Sequence, residues 1–373
     1  MVETKKQADF GLFAITVILL AIGVLWVYSA SYVVAAHDYR NGMYFFYRQA
    51  GFAVVGLLVM YVAMSIPYWR LRPYASLLLG LSIAGLVLVF VPHVGKTSNG
   101  ATRWLPIMGQ QVQPSEFAKL CLVIYIASIL SAKRQDIRNL EKGLLPLLLW
   151  IAVVSFLIVK EDMGTAIVVA VTSISMIYMA GAEIRHLAGI VFGGLLIGAP
   201  LILHKSYRMD RLIAYVNPFK DYHGIGYQVC QSLIALGSGG VFGVGFCESR
   251  QKLFYLPAGH TDFIYAVFGQ EAGLIGTVSL ALLFFFFAVR GIKIAAKAKD
   301  EFGRLLAAGI SVMIAGQALL NMLVVTSSVP DTGVPLPFIS YGGSSLVLNL
   351  LCVGILLSVS RFDDPPQRRE RRR

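Results

Sequence analysis

The residues in this chain that could do chemistry stand out against apolar surroundings. Glu116, Lys119, Glu161, Asp162, Asp262 and Glu271 lie inside or at the edges of long hydrophobic runs. Ionisable groups are costly in hydrocarbon, so each is a functional candidate. Glu116 and Lys119 are three residues apart, which puts them on one helical face just after Pro114. They read either as an ion pair tying helices together or as part of a polar cavity. Glu161 and Asp162 precede Gly164-Thr165, and Asp262 stands where a later run begins. A carboxylate in such a place acts as a general base or caps a helix N-terminus. Glu271 lies about two turns deeper beside Gln270. It groups with Gln317 and Asn321, which are one turn apart, and all suit interhelical hydrogen bonding. Lys205, Arg208, Arg211, Lys220, Arg250 and Lys252 share one polar stretch. They suit solvent, or an anionic phosphate-bearing head group.

What must position these groups is a set of membrane helices. Hydrophobic residues make up 57% of the 373 and charged residues 14%, against about 25% charged in a soluble domain. Mean hydropathy is +0.71. Apolar runs predict about ten spans, at 10–34, 49–67, 74–92, 114–131, 143–159, 164–181, 187–204, 263–289, 304–326 and 344–360. The expected fold is therefore all-α, a polytopic integral membrane protein in one domain over 1–373. The first run is too long for a signal peptide and lacks an Ala-x-Ala cleavage pattern, so it reads as an anchor. No strong internal repeat supports an inverted-repeat transporter.

Ten spans put both ends of the chain on one side. That side carries 20 Lys and Arg residues and the other 11, with Lys119 inside a span. The positive-inside rule makes the termini cytoplasmic. Residues 1–9 are then a cytoplasmic start, 361–373 a basic cytoplasmic tail, and 205–262 a large extracytoplasmic loop between the seventh and eighth spans. The tail suits anionic lipid head groups, so the net charge of +12 points to a membrane surface and not to nucleic acid.

Some motifs exclude more than they promise. Gly239-Gly240, Gly243 and Gly245 mimic a dinucleotide fingerprint, but no βαβ unit can surround them, so flexible or re-entrant backbone is expected. Gly189, Gly193, Gly194 and Gly198 have the spacing of close helix packing. Cys121 and Cys352 fall in spans, Cys230 and Cys247 share the large loop and are open to pairing, and no Cys/His spacing suggests zinc.

Longer motifs carry a resemblance. Gly100-Ala-Thr-Arg-Trp104 is followed by Gln113-Pro-Ser-Glu116-Phe-Ala-Lys119, Asp162-Met-Gly164-Thr165-Ala166 and Asn217-Pro218. Then come Tyr227-Gln228, Gln231-Ser232, Gln251-Lys252, Leu256-Pro257, His260-Thr-Asp262-Phe-Ile264 and Leu336-Pro-Phe-Ile-Ser-Tyr-Gly-Gly-Ser-Ser345. In this order, from Ser29-Ala30-Ser31 to Ser345, they resemble the SEDS family (FtsW, RodA, SpoVE). Tyr44-Phe45 and Arg48-Gln49 look closer to the FtsW/SpoVE branch. The resemblance implies a ten-helix peptidoglycan glycosyltransferase of the bacterial cytoplasmic (inner) membrane, polymerising lipid II at the outer face for cell division or cell-shape wall synthesis. A class B penicillin-binding protein and other division or elongation proteins would be its partners. Asp262 matches the family's essential Asp. Arg48, Glu116, Lys119 and Asp162 match cavity residues. Arg208, Arg211, Lys252, Ser344 and Ser345 complete the substrate-binding candidates. A divalent ion, Mg or Mn, at Asp162 is an open expectation without a dedicated motif. Two stretches depart from the family pattern, Ala258-Gly259 and Gln270-Glu271. A lipid II flippase and a non-catalytic scaffold are the competing readings.

Overall fold

The computed structural model describes residues 7–92, 94–98, 101–107, 110–132, 137, 143–160, 162–203 and 206–362. A helix stands at each expected span: α1 (Phe10–Tyr39), α2 (Tyr44–Ser65), α3 (Ala75–Val89), α4 (Pro114–Ala132), α5 (Leu145–Val159), α6 (Met163–Met179) and α7 (Ile184–Leu203). Two further helices, α8 (Ser206–Val216) and α9 (Tyr227–Gly239), interrupt the series before α10 (Ile264–Lys297), α11 (Glu301–Val325) and α12 (Gly343–Arg361). Among the described residues seven segments are long and apolar enough to cross a bilayer, α3 counting together with the 3-10 turn before it as Tyr68–Val89, and α5 and α6 are shorter apolar helices.

Local chemistry starts several of them. Asp9, Asp162 and Asp300 each stand at an N-cap and accept a backbone N–H from the first turn, at Leu12, Thr165 and Gly303. Such a carboxylate satisfies a donor that the helix itself leaves unpaired. Pro114 opens α4, where its missing N–H costs nothing.

The layering follows burial. Within their most apolar windows α4 and α11 are 67% buried and α12 61%, against 28–33% for α1, α2, α3 and α10. The first three form the centre, and the others show lipid a face of Leu58, Val62, Leu77, Leu274 and Phe285. At one end, the Asp9 N–H donates to Ser360 Oγ at 3.1 Å, Arg290 lies 3.7 Å from Asp9, and Tyr68 donates to Asp300. The beginning of α1 and the end of α12 therefore share one end of the bundle, as an even number of spans requires.

The glycines of α7 do not do what their spacing suggests. A Cβ on Gly189, Gly193 or Gly194 would meet nothing within 4 Å. Among the described residues no neighbouring helix comes within reach at these three positions, and the surroundings of Gly198 lie outside the described residues.

Two features add to the all-α reading. The loop after α3 folds into an antiparallel meander, β1 (Lys96–Ser98), β2 (Ala101–Ile107) and β3 (Gln110–Val112), in the order β1-β2-β3. Leu105 pairs with Val112 and Ile107 with Gln110. The 205–262 segment, moreover, does not stay outside the bundle. Ser232 Oγ donates to the Val325 carbonyl at 2.7 Å, at the C-terminal end of α11. From there α9 runs alongside α10 to its break at Gly273, where φ is +68°. The Val244 and Gly245 N–H groups donate to the Gln270 and Glu271 carbonyls, and Leu274 and Ile275 donate back to Gly240 and Val241. Nine residues at ~1.5 Å each place this exchange about 14 Å along α10 from its N-terminal end. Backbone at such depth must be satisfied within the protein, and here the loop and the broken helix satisfy one another. Gly243 and Gly273 allow it: a Cβ on either would stand 2.1 Å from the Glu271 carbonyl oxygen or 2.3 Å from the Gly243 nitrogen. The glycine cluster is thus a re-entrant turn.

Candidate active site

Opposite the shared termini, the 326–342 strap between α11 and α12 crosses the bundle. Three prolines, Pro330, Pro335 and Pro337, deprive it of N–H donors and keep it extended. Its carbonyls are gripped by three side chains from two helices, α11 and α2. Asn321 Nδ2 donates to Val334 O at 2.7 Å, Gln317 Nε2 to Pro335 O at 3.0 Å, and Gln49 Nε2 to Ser340 O at 3.2 Å. The 258–262 turn is fastened to the strap: Asn321 Nδ2 also donates to the Asp262 carbonyl at 2.7 Å, Ser340 Oγ to Thr261 O at 2.7 Å, and the Tyr341 N–H to His260 O at 3.0 Å.

This places Asp262 just before α10 without making it a cap. The N-cap of α10 is Phe263, which makes no side-chain capping bond. The helix-capping reading of Asp262 is thereby excluded. Its carboxylate instead meets charge. Around Gly333, whose φ is +66°, Asp262 Oδ2, Arg103 Nη1 and Arg211 Nη1 lie 3.5, 3.8 and 4.0 Å from where a Cβ would stand. Arg103 arrives on β2 and Arg211 on α8. Arg211 is held by Asp331 of the strap: Nη1 donates to the Asp331 carbonyl at 3.2 Å, and Nε lies 3.7 Å from Oδ2.

Burial pushes the Asp262 carboxyl up to about 7, helped by the carboxylates of Asp331 and Asp162 and opposed by the guanidinium groups of Arg103 and Arg211. The neighbouring His260 is packed between Phe45 and Tyr341, with ring centroids 5.0 and 6.0 Å away. Burial lowers its imidazole to about 4, so it is neutral at physiological pH. Asp262 is the group here that titrates near neutrality, where a general base works best.

The other sequence candidates fall into two groups. Glu116 and Lys119 form a 2.7 Å ion pair whose side chains are each 3% exposed. Ser345 Oγ donates to Glu116 at 3.0 Å, Lys119 donates to Gln317, and Asn349 donates to Ser345. This is a closed network linking α4, α11 and α12 directly beneath the strap. Ser344 opens α12 beside it. Asp162, nearly buried, spends both oxygens: Oδ1 accepts from the Thr165 N–H at 3.0 Å, and Oδ2 from Thr165 Oγ1 at 2.8 Å and Gln113 Nε2 at 3.2 Å. That leaves little for a metal. Among the described residues no group of three or more His, Cys, Asp or Glu side chains gathers around Asp162.

Arg48 is half-buried near the start of α2, donating to Tyr44 at 2.8 Å and to Gln110 of β3. Arg208 belongs to α8 with Arg211. Lys252 is not at the strap. It lies 4.0 Å from the buried Glu271 and donates to the Cys247 carbonyl, and Glu271 also accepts from Ser29 and the Ser249 N–H. Glu271 therefore serves the re-entrant turn. Glu161 lies outside the described residues, and all four cysteines are free thiols. Sequence reasoning missed Arg103 and Asp331 as site residues. Arg103 stood inside a quoted motif, and Asp331 is the single carboxylate of the strap.

A family model described as cell cycle protein (FtsW/RodA/SpoVE) matches residues 10–364. Stage V sporulation protein E of Bacillus subtilis is 43% identical over 364 residues, covering 97% of this chain and 99% of its own. A probable peptidoglycan glycosyltransferase FtsW of Trichlorobacter lovleyi is 43% identical over 355 residues, 95% of this chain and 93% of that one. Among solved structures, a chain from work on the structural coordination of polymerization and crosslinking by a peptidoglycan synthase complex superposes with a TM-score of 0.78 at 28% identity, covering 95% of this chain and 97% of that one. The rod shape determining protein RodA of Thermus thermophilus superposes at 0.71 with 29% identity, covering 96% and 98%. Matched from its first span to its last, the chain belongs to the FtsW/RodA/SpoVE family.

Proposed function

We propose that this chain is a peptidoglycan glycosyltransferase that polymerises lipid II at the outer face of the bacterial cytoplasmic membrane, with Asp262 as its general base. The observation that carries the reading is the meeting of a half-buried carboxylate, set near 7, with two arginines from β2 and α8 around Gly333 of the strap. In the reaction Asp262 takes the proton of the acceptor GlcNAc 4-hydroxyl. The freed oxygen attacks C1 of the donor MurNAc, and the bond from C1 to undecaprenyl pyrophosphate breaks with inversion. The leaving group departs as an anion, so no second carboxylic acid is needed, unlike in glycosidases. Arg103 and Arg211 neutralise the charge that develops on the pyrophosphate. Arg48, at the same end of the bundle, extends that basic rim.

A lipid-linked substrate fits the rest of the molecule. An apolar cavity of about 390 Å³ opens on the flank between α2, α3, α4 and α12, lined by Leu58, Val62, Leu78, Phe117, Leu120 and Ile355. The termini are cytoplasmic on this reading, from the 20-to-11 excess of Lys and Arg on their side. The partner is a class B penicillin-binding protein, a choice supported by the likeness to a chain of a peptidoglycan synthase complex. The test is reconstitution with lipid II in liposomes, with and without the transpeptidase. Polymer that disappears in Asp262→Ala supports the reading. Rapid transbilayer movement of lipid II without glycan, in the presence of the partner, rejects it in favour of a flippase.

A further inference from the structure

Asp331 is the one charged side chain of the strap that the reaction as written does not use, and its two oxygens point to two different tasks. Oδ1 accepts the Gly333 N–H at 3.0 Å, closing a turn that sets Gly333 at positive φ against Asp262. Oδ2 faces Arg211 Nε at 3.7 Å, while the same residue's carbonyl takes Arg211 Nη1. The side chain is 12% exposed. Aspartate favours such a turn because its short side chain reaches a backbone N–H two residues on. α8 comes from the large outer loop and the strap from between α11 and α12, so this contact joins two elements distant in sequence. A further polar link joins α8 to the strap region, with Tyr215 Oη donating to Ser328 O at 3.2 Å.

We propose that Asp331 is a positioning residue of the transfer reaction: one carboxylate oxygen folds the Gly333 turn against Asp262, and the other holds Arg211 beside it. The proposal rests on the glycosyltransferase reading above. It has an electrostatic consequence. The charged and titratable groups facing Asp262 are Arg103 from β2, Arg211 from α8, Asp162 from the head of α6, Asp331 from the strap and the neutral His260 of its own turn. The Asp331 carboxylate opposes ionisation of Asp262 directly. It also shares Arg211, and so takes up part of the guanidinium charge that favours ionised Asp262. Removing the Asp331 charge must therefore make Asp262 more acidic by both routes.

Asp331→Asn isolates that charge, because the amide oxygen keeps the turn to Gly333. In purified protein the pH dependence of lipid II polymerisation and the pH dependence of carbodiimide labelling at Asp262, read by peptide mass spectrometry, are measured for wild type, Asp331→Asn and Asp331→Glu. The expected result for Asp331→Asn is a downward shift of both midpoints by about half a unit or more, which raises relative activity at pH 6 about threefold. Asp331→Glu, which retains the charge, restores the wild-type midpoints. Unmoved midpoints in Asp331→Asn, or equal shifts in both variants, overturn the proposal. If wild type makes no polymer, the glycosyltransferase reading falls, while the labelling midpoints still decide whether Asp331 acts on Asp262.

Discussion

The buried Glu116–Lys119 pair offers the sharpest separation of a structural role from a substrate-binding one. Replacing Lys119 by Met keeps the length of the side chain and removes its charge. The structure fixes what is left behind. Glu116 keeps only the Ser345 hydroxyl at 3.0 Å, in a site where its side chain is 3% exposed. Gln317 loses the donor to its Oε1 while still holding Pro335 O. Leaving one member of a buried pair uncompensated costs about 3–5 kcal/mol. At an unfolding entropy of about 2 cal/mol/K per residue, this lowers the midpoint of thermal unfolding by at least about 4 °C. A second change, Glu116→Gln, removes the stranded charge. The double variant should recover to within about 2 kcal/mol of wild type, since buried pairs contribute little net stability over a neutral replacement. Thermal unfolding in detergent and lipid II polymerisation are followed in parallel for the two single variants and the double. On the structural reading, activity returns with stability in the double variant. A double variant as stable as wild type yet inactive would refute it and put Lys119 on the substrate.

Four further outcomes are expected. Asp262→Asn should lower polymerisation by about 10²–10⁴-fold, the usual contribution of a general base, with unchanged thermal unfolding, because the turn is held through the Asp262 carbonyl. Initial rates of wild type should fall about tenfold from pH 8 to pH 6, since a base at about 7 loses its ionised form as pH falls through that value. Gly164→Val should cost about 1–3 kcal/mol of stability and impair turnover, because its Cβ would stand 2.1 Å from Val334 Cγ2 and push the strap away. Lys220→Cys, on an exposed turn of the 205–262 segment, should react with an impermeant maleimide in intact cells if that segment is extracytoplasmic. Labelling only after permeabilisation would reverse the orientation.

The spans were readable because a bilayer demands some 20 apolar residues in a row, a signal that survives without any knowledge of packing. The family motifs led to Asp262, and its isolation at the edge of an apolar run led there independently. The remaining site residues were hidden for physical reasons. Asp331 follows a proline in a polar turn and looks like any loop aspartate until Arg211 arrives from another segment. Arg103 is carried by a meander only seven residues long at its middle strand, too short to register as alternation. Lys252 shares its residue type with a phosphate ligand, and nothing local says that Glu271, nineteen positions along, has already claimed it. The α7 glycines show the opposite error: spacing proposes a packing face, but only a neighbour can make one.

The position of Asp262 follows from the way main chain is gripped. Gln49 from α2, Gln317 and Asn321 from α11 and Ser340 within the strap all bond backbone groups, with Gln317 Oε1 also accepting from Lys119. α1 presses from below at Gly23, where a Cβ would stand 2.1 Å from the Phe338 carbonyl oxygen. A proline-rich strap has few donors of its own, so side-chain amides must supply them, and amides can sit in the bundle at far lower cost than charges. On the proposed reading the reacting carboxylate is free of structural duty, whereas the buried ion pair and the amides beneath it hold the helices and the strap together. Loss of Asn321, which holds Asp262 O and Val334 O together at 2.7 Å each, should therefore mimic loss of Asp262 itself. Asn321→Leu is expected to retain lipid II binding while its turnover falls. A variant with normal turnover would show that the base is placed by something other than the strap.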